Sequence, residues 1–490
     1  MYILGIDQST SGTKAVLVDV KGRIVYKDML EHRQYYPKPG WVEHDLEEIY
    51  TNVVTLIGRV IEKVDPGEIM GLSITNQRET IAFWDAKTKK SLCHAYVWQC
   101  RRGLEICQDY SERGYDEIIE KKTGLKLDTY FSASKVKWAM EHEAKVRKAK
   151  EQGTLRVGTI DAWLIFRLTQ GKVFATDHTN ASRTMLYNIE TSDWDEELLT
   201  LFGAQRGMMP CIYPSNGSFG RVEAPELLKI GGLPIAGVIG DSQGALFGQL
   251  CFERGMAKAT YGTGSSVMMY TDQERIRSDN GLVTSVAWAM DNQVYYAIEG
   301  LINSSGDTLK WVKENLGLYQ EDVQVETMIQ SLDSNEGVYI VPAFVGLGAP
   351  YWKGDAKASI VGLSRKSHRA HIVRAAVESM AYQVSDLIHL MERDAKIDVA
   401  TLNADGGPTK NKFLMQLQAD VIGAKVRCIE KQELSVMGAI YLGGLSLGVW
   451  QDFEALKALP MQETIYEPMR SNQEVKALLT GWHDAVESVC

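Results

Sequence analysis

Cysteine is scarce in this chain. Seven occur in 490 residues, at positions 93, 100, 107, 211, 251, 428 and 490. The number is odd and no Cys-x-x-Cys pair occurs, which argues against a disulfide framework. Cys93, Cys100 and Cys107 are spaced by seven, but unlinked thiols in a reducing cytoplasm are the simpler reading. Blocks of Lys and Arg are also missing, and the formal net charge is −10. That argues against a nucleic-acid partner. No run of about 18 apolar residues exists to span a bilayer. No basic region precedes a long apolar core at the N-terminus, so no signal peptide is expected. Two phosphate motifs are absent: there is no Gly-x-x-x-x-Gly-Lys-Ser/Thr, and no Gly-x-Gly-x-x-Gly opens a helix after a strand. These absences point to a cytoplasmic protein with neither a nucleic-acid nor a membrane partner.

What is present is ordinary in bulk and unusual in detail. The hydrophobic share of 45% and charged share of 24% are those of a globular protein. At about 100–200 residues per domain, two or more domains are expected. Residues 5–15 read Gly-Ile-Asp-Gln-Ser-Thr-Ser-Gly-Thr-Lys-Ala, between the apolar runs Tyr2-Ile3-Leu4 and Ala15-Val16-Leu17-Val18. The pattern predicts two paired strands with a hairpin tip of small hydroxyl residues and glycine. Such a tip surrounds a carboxylate, Asp7, and an ammonium, Lys14, with backbone N–H groups. It suits a phosphate chain and its Mg²⁺. An ordinary Gly/Ser hairpin is the alternative. Two further small-residue turns follow, Tyr261-Gly262-Thr263-Gly264-Ser265-Ser266 and Ala404-Asp405-Gly406-Gly407-Pro408-Thr409-Lys410-Asn411. Three such turns could converge on one extended phosphate ligand.

Along the chain, residues 1–30 read as a β-meander and 45–64 as an amphipathic helix. Strands are expected near 69–75 and 79–84, and helices over 103–120, 131–151 and 160–168. Pro234 to Asp241 reads as a buried strand ending in a turn with an acidic tip, and Gly244 to Leu250 as a helix. From about 256 the plan repeats: strands at 256–261, 266–270, 282–289 and 293–299, then helices near 304–316, 368–393, 409–422 and 433–447. No low-complexity linker separates the halves, so a hinge near 247–256 is expected. The division is 1–250 and 251–490. The class is α/β with mixed sheets, and a cleft between two like domains is a natural ligand site.

Asp241, in Gly-Asp-Ser-Gln-Gly-Ala, could take a proton from a substrate hydroxyl. A turn-capping Asp is the alternative. Arg78-Glu79 could bind a polyol, one side chain donating and the other accepting; a solvated surface pair is the competing reading. Trp98 could offer a flat wall to a carbon chain or simply pack in a core.

The stretches YPKPGWVEHD (36–45), ITNQRET (74–80), VWQCRR (97–102), TNASRTML (179–186), ALFGQLC (245–251), YGTG (261–264), VPAFVGLGAPYW (341–352) and GAIYLGGLSLGVWQ (438–451) resemble the FGGY carbohydrate kinases, most of all their glycerol kinase branch. The resemblance covers nearly the whole chain, in order. It implies two ribonuclease-H/actin-like domains hinged around a central cleft, and transfer of the ATP γ-phosphoryl to a terminal hydroxyl with Mg²⁺. By resemblance, Asp241 is the general base, and Asp7, with Asp241 nearby, holds Mg²⁺ through waters. Thr10, Ser11 and Lys14 meet the phosphates, and Thr263 with Gly264 closes the second phosphate turn. Gly306, Lys310, Gly407 and Asn411 line the nucleotide site. Arg78, Glu79, Trp98 and Tyr130 bind the polyol. A homo-oligomer, dimer or tetramer, is also implied.

Departures from that branch are local. Glycerol kinases carry Gln directly after the catalytic Asp, where this chain has Ser242. They carry Phe where it has Ser266. Both positions touch glycerol in the family, so a four- or five-carbon polyol or ketose rivals glycerol, the nearest family substrate by overall similarity. The Ser-Thr-Ser-Gly-Thr-Lys turn looks more like pentulose kinases. Gly231-Gly232-Leu233-Pro234 stands where the family's fructose-bisphosphate loop carries Gly-Gly-x-Arg, and it has no Arg. The expected activity is ATP-dependent phosphorylation of a small polyol or ketose. The alternatives are a pentulose kinase, such as a xylulokinase or ribulokinase, and a non-catalytic sugar sensor on the same fold.

Overall fold

The computed structural model describes residues 1–430 and 433–490. Two compact units emerge. Unit 1 comprises Met1–Leu250, Ser285–Tyr296 and Glu433–Pro460; unit 2 comprises Cys251–Thr284, Ala297–Gln432 and Met461–Cys490.

Unit 1 opens with β1 (Tyr2–Gln8), β2 (Gly12–Asp19) and β3 (Ile24–Glu31), an antiparallel meander. The helix α1 (Leu46–Ile61) follows, capped by Asp45, whose side chain accepts from the Glu47 N–H. Its apolar face, Ile49, Val53, Leu56, Ile57 and Val60, is fully buried and packs on β2 and β3. Each such side chain contributes about 1.5–3 kcal/mol. The strand β4 (Ile69–Asn76) then runs parallel to β1. After a helix-rich span come α2 (Ser132–His142), the five-residue α3 (His178–Ser182), β5 (Ser218–Arg221), β6 (Pro234–Gly240) and α4 (Asp241–Gly248). The main sheet has the order β5-β6-β4-β1-β2-β3. The helix Leu434–Ser446 returns to this unit and packs on α4. Glycines let the two backbones meet: a Cβ on Gly438 would strike the Gly244 carbonyl oxygen.

Unit 2 repeats the plan. β7 (Ala257–Tyr261) pairs antiparallel with β8 (Ser265–Asp272), as β1 does with β2. β9 (Val283–Met290) and β10 (Gln293–Ile302) follow, their residues 285–296 belonging to unit 1, and α5 (Gly306–Glu314) comes next in unit 2. The long helix α6 (Arg369–Ala395) is followed by β11 (Thr401–Gly406), α7 (Lys412–Ile422), β12 (Lys425–Ile429) and β13 (Glu463–Tyr466). β7 is parallel to β11, as β1 is to β4. The sheet order is β9-β10-β8-β7-β11-β12-β13. The two halves therefore share a mixed-sheet α/β architecture. Each has its own apolar core, one built around Leu4, Ile57 and Trp163, the other around Val377, Leu402 and Trp482.

Two expected helices are each broken in two. Residues 103–120 form Leu104–Glu112 and Asp116–Thr123, separated at Gly114, whose φ is +78°. Residues 131–151 form α2 and Ala144–Glu151, because Glu143 is extended and its carboxylate accepts from the Tyr96 hydroxyl at 2.7 Å. Asp241 is not in a turn: it is the first residue of α4, and Gly240 makes the extended entry. All seven cysteines are free thiols. No helix among the described residues is long and apolar enough to cross a membrane.

Candidate active site

The Arg78-Glu79 pair follows the end of β4 and is buried, with the residues 4% and 1% exposed. The reading of a solvated surface pair is therefore wrong. Packing of the 177–183 segment and α4 over the strand ends encloses both charges. Arg78 Nε lies 3.2 Å from Asp241 Oδ1, and its Nη1 donates to Gln243 Oε1 at 3.2 Å. Gly240 makes room, since a Cβ there would meet the Arg78 side chain at 2.8 Å. Glu79 Oε1 accepts from Arg183 Nε at 2.5 Å. Burial raises the Glu79 carboxyl above the usual range, against the pull of Arg183 and Arg78. Asp241 itself is about a third exposed, and its Oδ1 accepts from the Ser242 backbone N–H at 2.7 Å. It is thus a partly open carboxylate beside a buried cation.

The first hairpin forms with Asp7 directly opposite Lys14. Their side chains are 3.9 Å apart. Glu433, 419 residues further on, accepts from Lys14 Nζ at 2.6 Å. Burial pushes the Asp7 carboxyl up to about 7; Lys14 opposes this, and the charges of Asp241 and Glu433 add to it. Thr10 and Ser11 form the tip. The Thr10 Oγ1 accepts from the Trp98 indole N–H at 3.0 Å. Trp98 also packs against Tyr130, with ring centroids 5.3 Å apart, and both line a cavity of about 460 Å³. Trp98 is thus partly exposed on one side and packs against the small apolar cluster of Val42, Val97 and Cys100 on the other. Lys135, fully buried, donates to the carbonyls of Thr129 and Tyr130 at 2.8 and 2.9 Å and so holds the Tyr130 loop.

Unit 2 brings the second and third glycine turns together. Gly406 has φ +105° and lies against the Tyr261 carbonyl, where no Cβ fits. The Thr263 carbonyl accepts from Ser305 N–H at 2.9 Å, and the Gly262 carbonyl accepts from Gly306 N–H at 2.9 Å. The Thr263-Gly264 turn is therefore tied to the start of α5. Gly306, Lys310, Gly407 and Asn411 line one cavity of about 430 Å³. The Asn411 side chain also caps α7, accepting from Leu414 N–H at 3.0 Å. Ser266 belongs to unit 2, opposite Thr260 in the β7–β8 register. The nearly buried Lys258 donates to Ser266 Oγ at 3.3 Å and to Thr260 Oγ1 at 3.2 Å. The other substrate-binding candidates, Arg78, Glu79, Trp98, Tyr130, Asp241 and Ser242, lie in unit 1.

Arg183, Glu433, Lys135 and Gln243 were not foreseen as site residues. Arg183 and Lys135 could have been found only as charged residues inside otherwise apolar or small-residue stretches. Glu433 carries no local signal.

Two carboxylates near strand ends, a small-residue hairpin with a lysine and a buried Arg/Glu pair are groups of the kind that a phosphotransferase acting on a polar acceptor uses. The chain belongs to the FGGY family of carbohydrate kinases: the family's N-terminal domain model matches residues 2–248 and its C-terminal domain model residues 257–447. It is an ATP-dependent carbohydrate or polyol kinase with two actin-like, ribonuclease-H-like α/β domains. Glycerol kinase 1 of Thermotoga maritima is 45% identical over 491 residues, covering 100% of this chain and 99% of that one. Glycerol kinase 2 of the same organism is 44% identical over 487 residues, with 99% and 98% covered. The structure of Plasmodium falciparum glycerol kinase with ADP superposes with a TM-score of 0.96 at 36% identity, covering 100% of this chain and 98% of that one.

Proposed function

We propose that this kinase phosphorylates a terminal hydroxyl of a four- or five-carbon polyol or ketose, with Asp241, Arg78, Glu79, Trp98 and Tyr130 of the acceptor site in unit 1 and Gly306, Lys310, Gly407 and Asn411 of the nucleotide site in unit 2. The observation that carries the acceptor chemistry is Asp241, a partly exposed carboxylate 3.2 Å from the buried Arg78. The substrate hydroxyl oxygen attacks the γ-phosphorus, and its proton passes to Asp241. The bond between the γ-phosphorus and the bridging oxygen breaks, and ADP leaves. Arg78, Glu79, Trp98 and Tyr130 hold the acceptor in line, which supplies much of the rate. Thr10, Ser11, Lys14, Thr263 and Gly264 receive the phosphates. Gly306, Lys310, Gly407 and Asn411 hold the rest of the nucleotide.

Asp7 and Asp241 fit a Mg²⁺ held mainly through water. The Asp7 carboxyl, raised to about 7 by burial and by the Asp241 charge, gains from a cation bound nearby. Hydrated Mg²⁺ commonly takes one or two carboxylates plus substrate phosphates. A Mg²⁺ held there would supply charge neutralisation for the transferring phosphate.

Ser242 and Ser266 support a substrate longer than glycerol. By the family pattern, glycerol kinases carry a long amide at the first position and an aromatic ring at the second, and each serine offers a hydroxyl instead. The test is ATP consumption with trioses, tetritols, pentitols and pentuloses. The expected result is a higher kcat/KM for a four- or five-carbon compound than for glycerol. A preference for glycerol over every longer compound overturns the size assignment.

A further inference from the structure

The segment 177–183 lies outside every role assigned above except the Arg183 ion pair, yet it touches both halves of the acceptor site. Asp177 is fully buried at the start of α3. Its carboxylate accepts from the backbone N–H of Thr179 at 3.1 Å and of Asn180 at 3.0 Å. It also accepts from Thr179 Oγ1 at 2.8 Å, Asn180 Nδ2 at 2.9 Å and Ser215 Oγ at 2.7 Å. These bonds fix the polarity of two side chains. Thr179 spends its hydroxyl proton on Asp177, so its oxygen accepts, and it accepts from the Gly240 backbone N–H at 2.8 Å. Asn180 spends an amide proton on Asp177, and its Oδ1 accepts from Asn76 Nδ2 at 2.9 Å. Gly240 precedes Asp241. Asn76 ends β4, two residues before Arg78.

We infer that Asp177 is a positioning residue that sets Asp241 through Thr179 and the Arg78-Glu79 pair through Asn180. The inference rests on the reading of Asp241 as the base. A helix cap alone needs only the two backbone bonds. The hydroxyl and amide relays are extra, and they lead to different kinetic terms. Thr179 governs the base and hence kcat; Asn180 governs the acceptor clamp and hence the polyol KM.

The experiment measures kcat, polyol KM and ADP affinity for Thr179→Val, Thr179→Ser, Asn180→Ala and Asp241→Asn, with thermal unfolding as the control for folding. Thr179→Val is expected to lower kcat about 10–100-fold, the scale of a small misplacement of a reacting group, with ADP affinity unchanged. Thr179→Ser, which keeps the hydroxyl, is expected to recover most of it. Asn180→Ala is expected to raise polyol KM more than it lowers kcat. Wild-type kinetics in Thr179→Val, or no recovery in a folded Thr179→Ser, overturns the positioning role. So does a kcat loss that only follows the unfolded fraction. If Thr179→Val does not fold, the Ser variant and the KM split of Asn180→Ala decide. Retained turnover in Asp241→Asn overturns the base reading instead.

Discussion

Arg183 Nε donates to Glu79 Oε1 at 2.5 Å across 104 residues of sequence, with both side chains almost wholly buried. Arg78 Nε stands 3.9 Å from the same carboxylate oxygen, and Arg183 Nη1 donates to Ser285 Oγ at 2.9 Å. One carboxylate thus faces two guanidiniums away from water. Desolvating such a group is costly, and well-packed apolar residues would often be as stable. Arg183→Met is expected to destabilise the fold by about 3–5 kcal/mol, because Glu79 loses its shortest partner. Adding Glu79→Gln should restore much of that stability without restoring turnover. Urea unfolding and kcat/KM on the two variants check this.

Asp241→Asn is expected to lower kcat by about 10²–10⁴, the usual contribution of a general base. The change keeps the size of the side chain and removes its ability to take a proton. ADP affinity should be unaltered. Steady-state rates and ADP titration on the purified variant read both quantities, and wild-type turnover removes Asp241 from the mechanism.

Asp7→Ala is expected to raise the Mg²⁺ concentration needed for half-maximal rate more than it raises polyol KM. Asp7 faces Lys14 in the β1–β2 hairpin proposed to meet the phosphates, whereas the polyol candidates Arg78 and Glu79 follow another strand. Rates across a Mg²⁺ series at saturating polyol, and the reverse, separate the two. A collapse of polyol affinity with an unchanged Mg²⁺ dependence contradicts the assignment.

Ser242→Gln with Ser266→Phe is expected to move preference toward glycerol. On the proposed reading, each larger side chain adds buried contact with a small ligand, worth about 25 cal/mol per Å². They also remove hydroxyls that would bond a longer substrate, and a site built for such a bond discriminates strongly. Lys258 keeps Thr260 as a partner when Ser266 is replaced. The ratio of kcat/KM for glycerol to that for the best longer substrate, in wild type and double variant, is the readout.

Asp161 supplies a pH test of stability away from the chemistry. It is fully buried, accepts from the hydroxyls of Thr159 at 2.5 Å and Thr176 at 2.6 Å, and feels the Asp177 charge. Burial, then Asp177, pushes its carboxyl from 3.8 up to about 7. The folded state therefore holds a proton that the unfolded state releases between those values. Its contribution to stability is complete below about 4 and is lost as pH rises through 7. Asp161→Asn cannot titrate. Its Tm relative to wild type is expected to climb between pH 4 and pH 7 and then level off. A constant difference across that range contradicts the raised carboxyl.

Local chemistry was legible without a structure. The alternation of apolar runs and a Gly/Ser tip predicts the β1–β2 hairpin, and the hairpin register alone sets Asp7 against Lys14. The strand leading to Asp241 and the repetition of one plan in both halves were readable the same way, as was the family from motifs in order. Helix breaks were less so: 103–120 parts at Gly114, and 131–151 parts where Glu143 turns to meet Tyr96, a tertiary bond. Burial of Arg78 and Glu79 could not be read, because charged residues are usually exposed and only the packing of distant segments overrides that. The pairs Glu79–Arg183, Lys14–Glu433 and Gly240–Thr179 join residues 61 to 419 positions apart. Hydrophobic period and turn chemistry act over a few residues and carry no information at that range. The return of Glu433–Pro460 to unit 1 is of the same kind. It depends on glycine faces such as Gly244 and Gly438 closing backbone to backbone, a fit that exists only once both helices are formed and brought together.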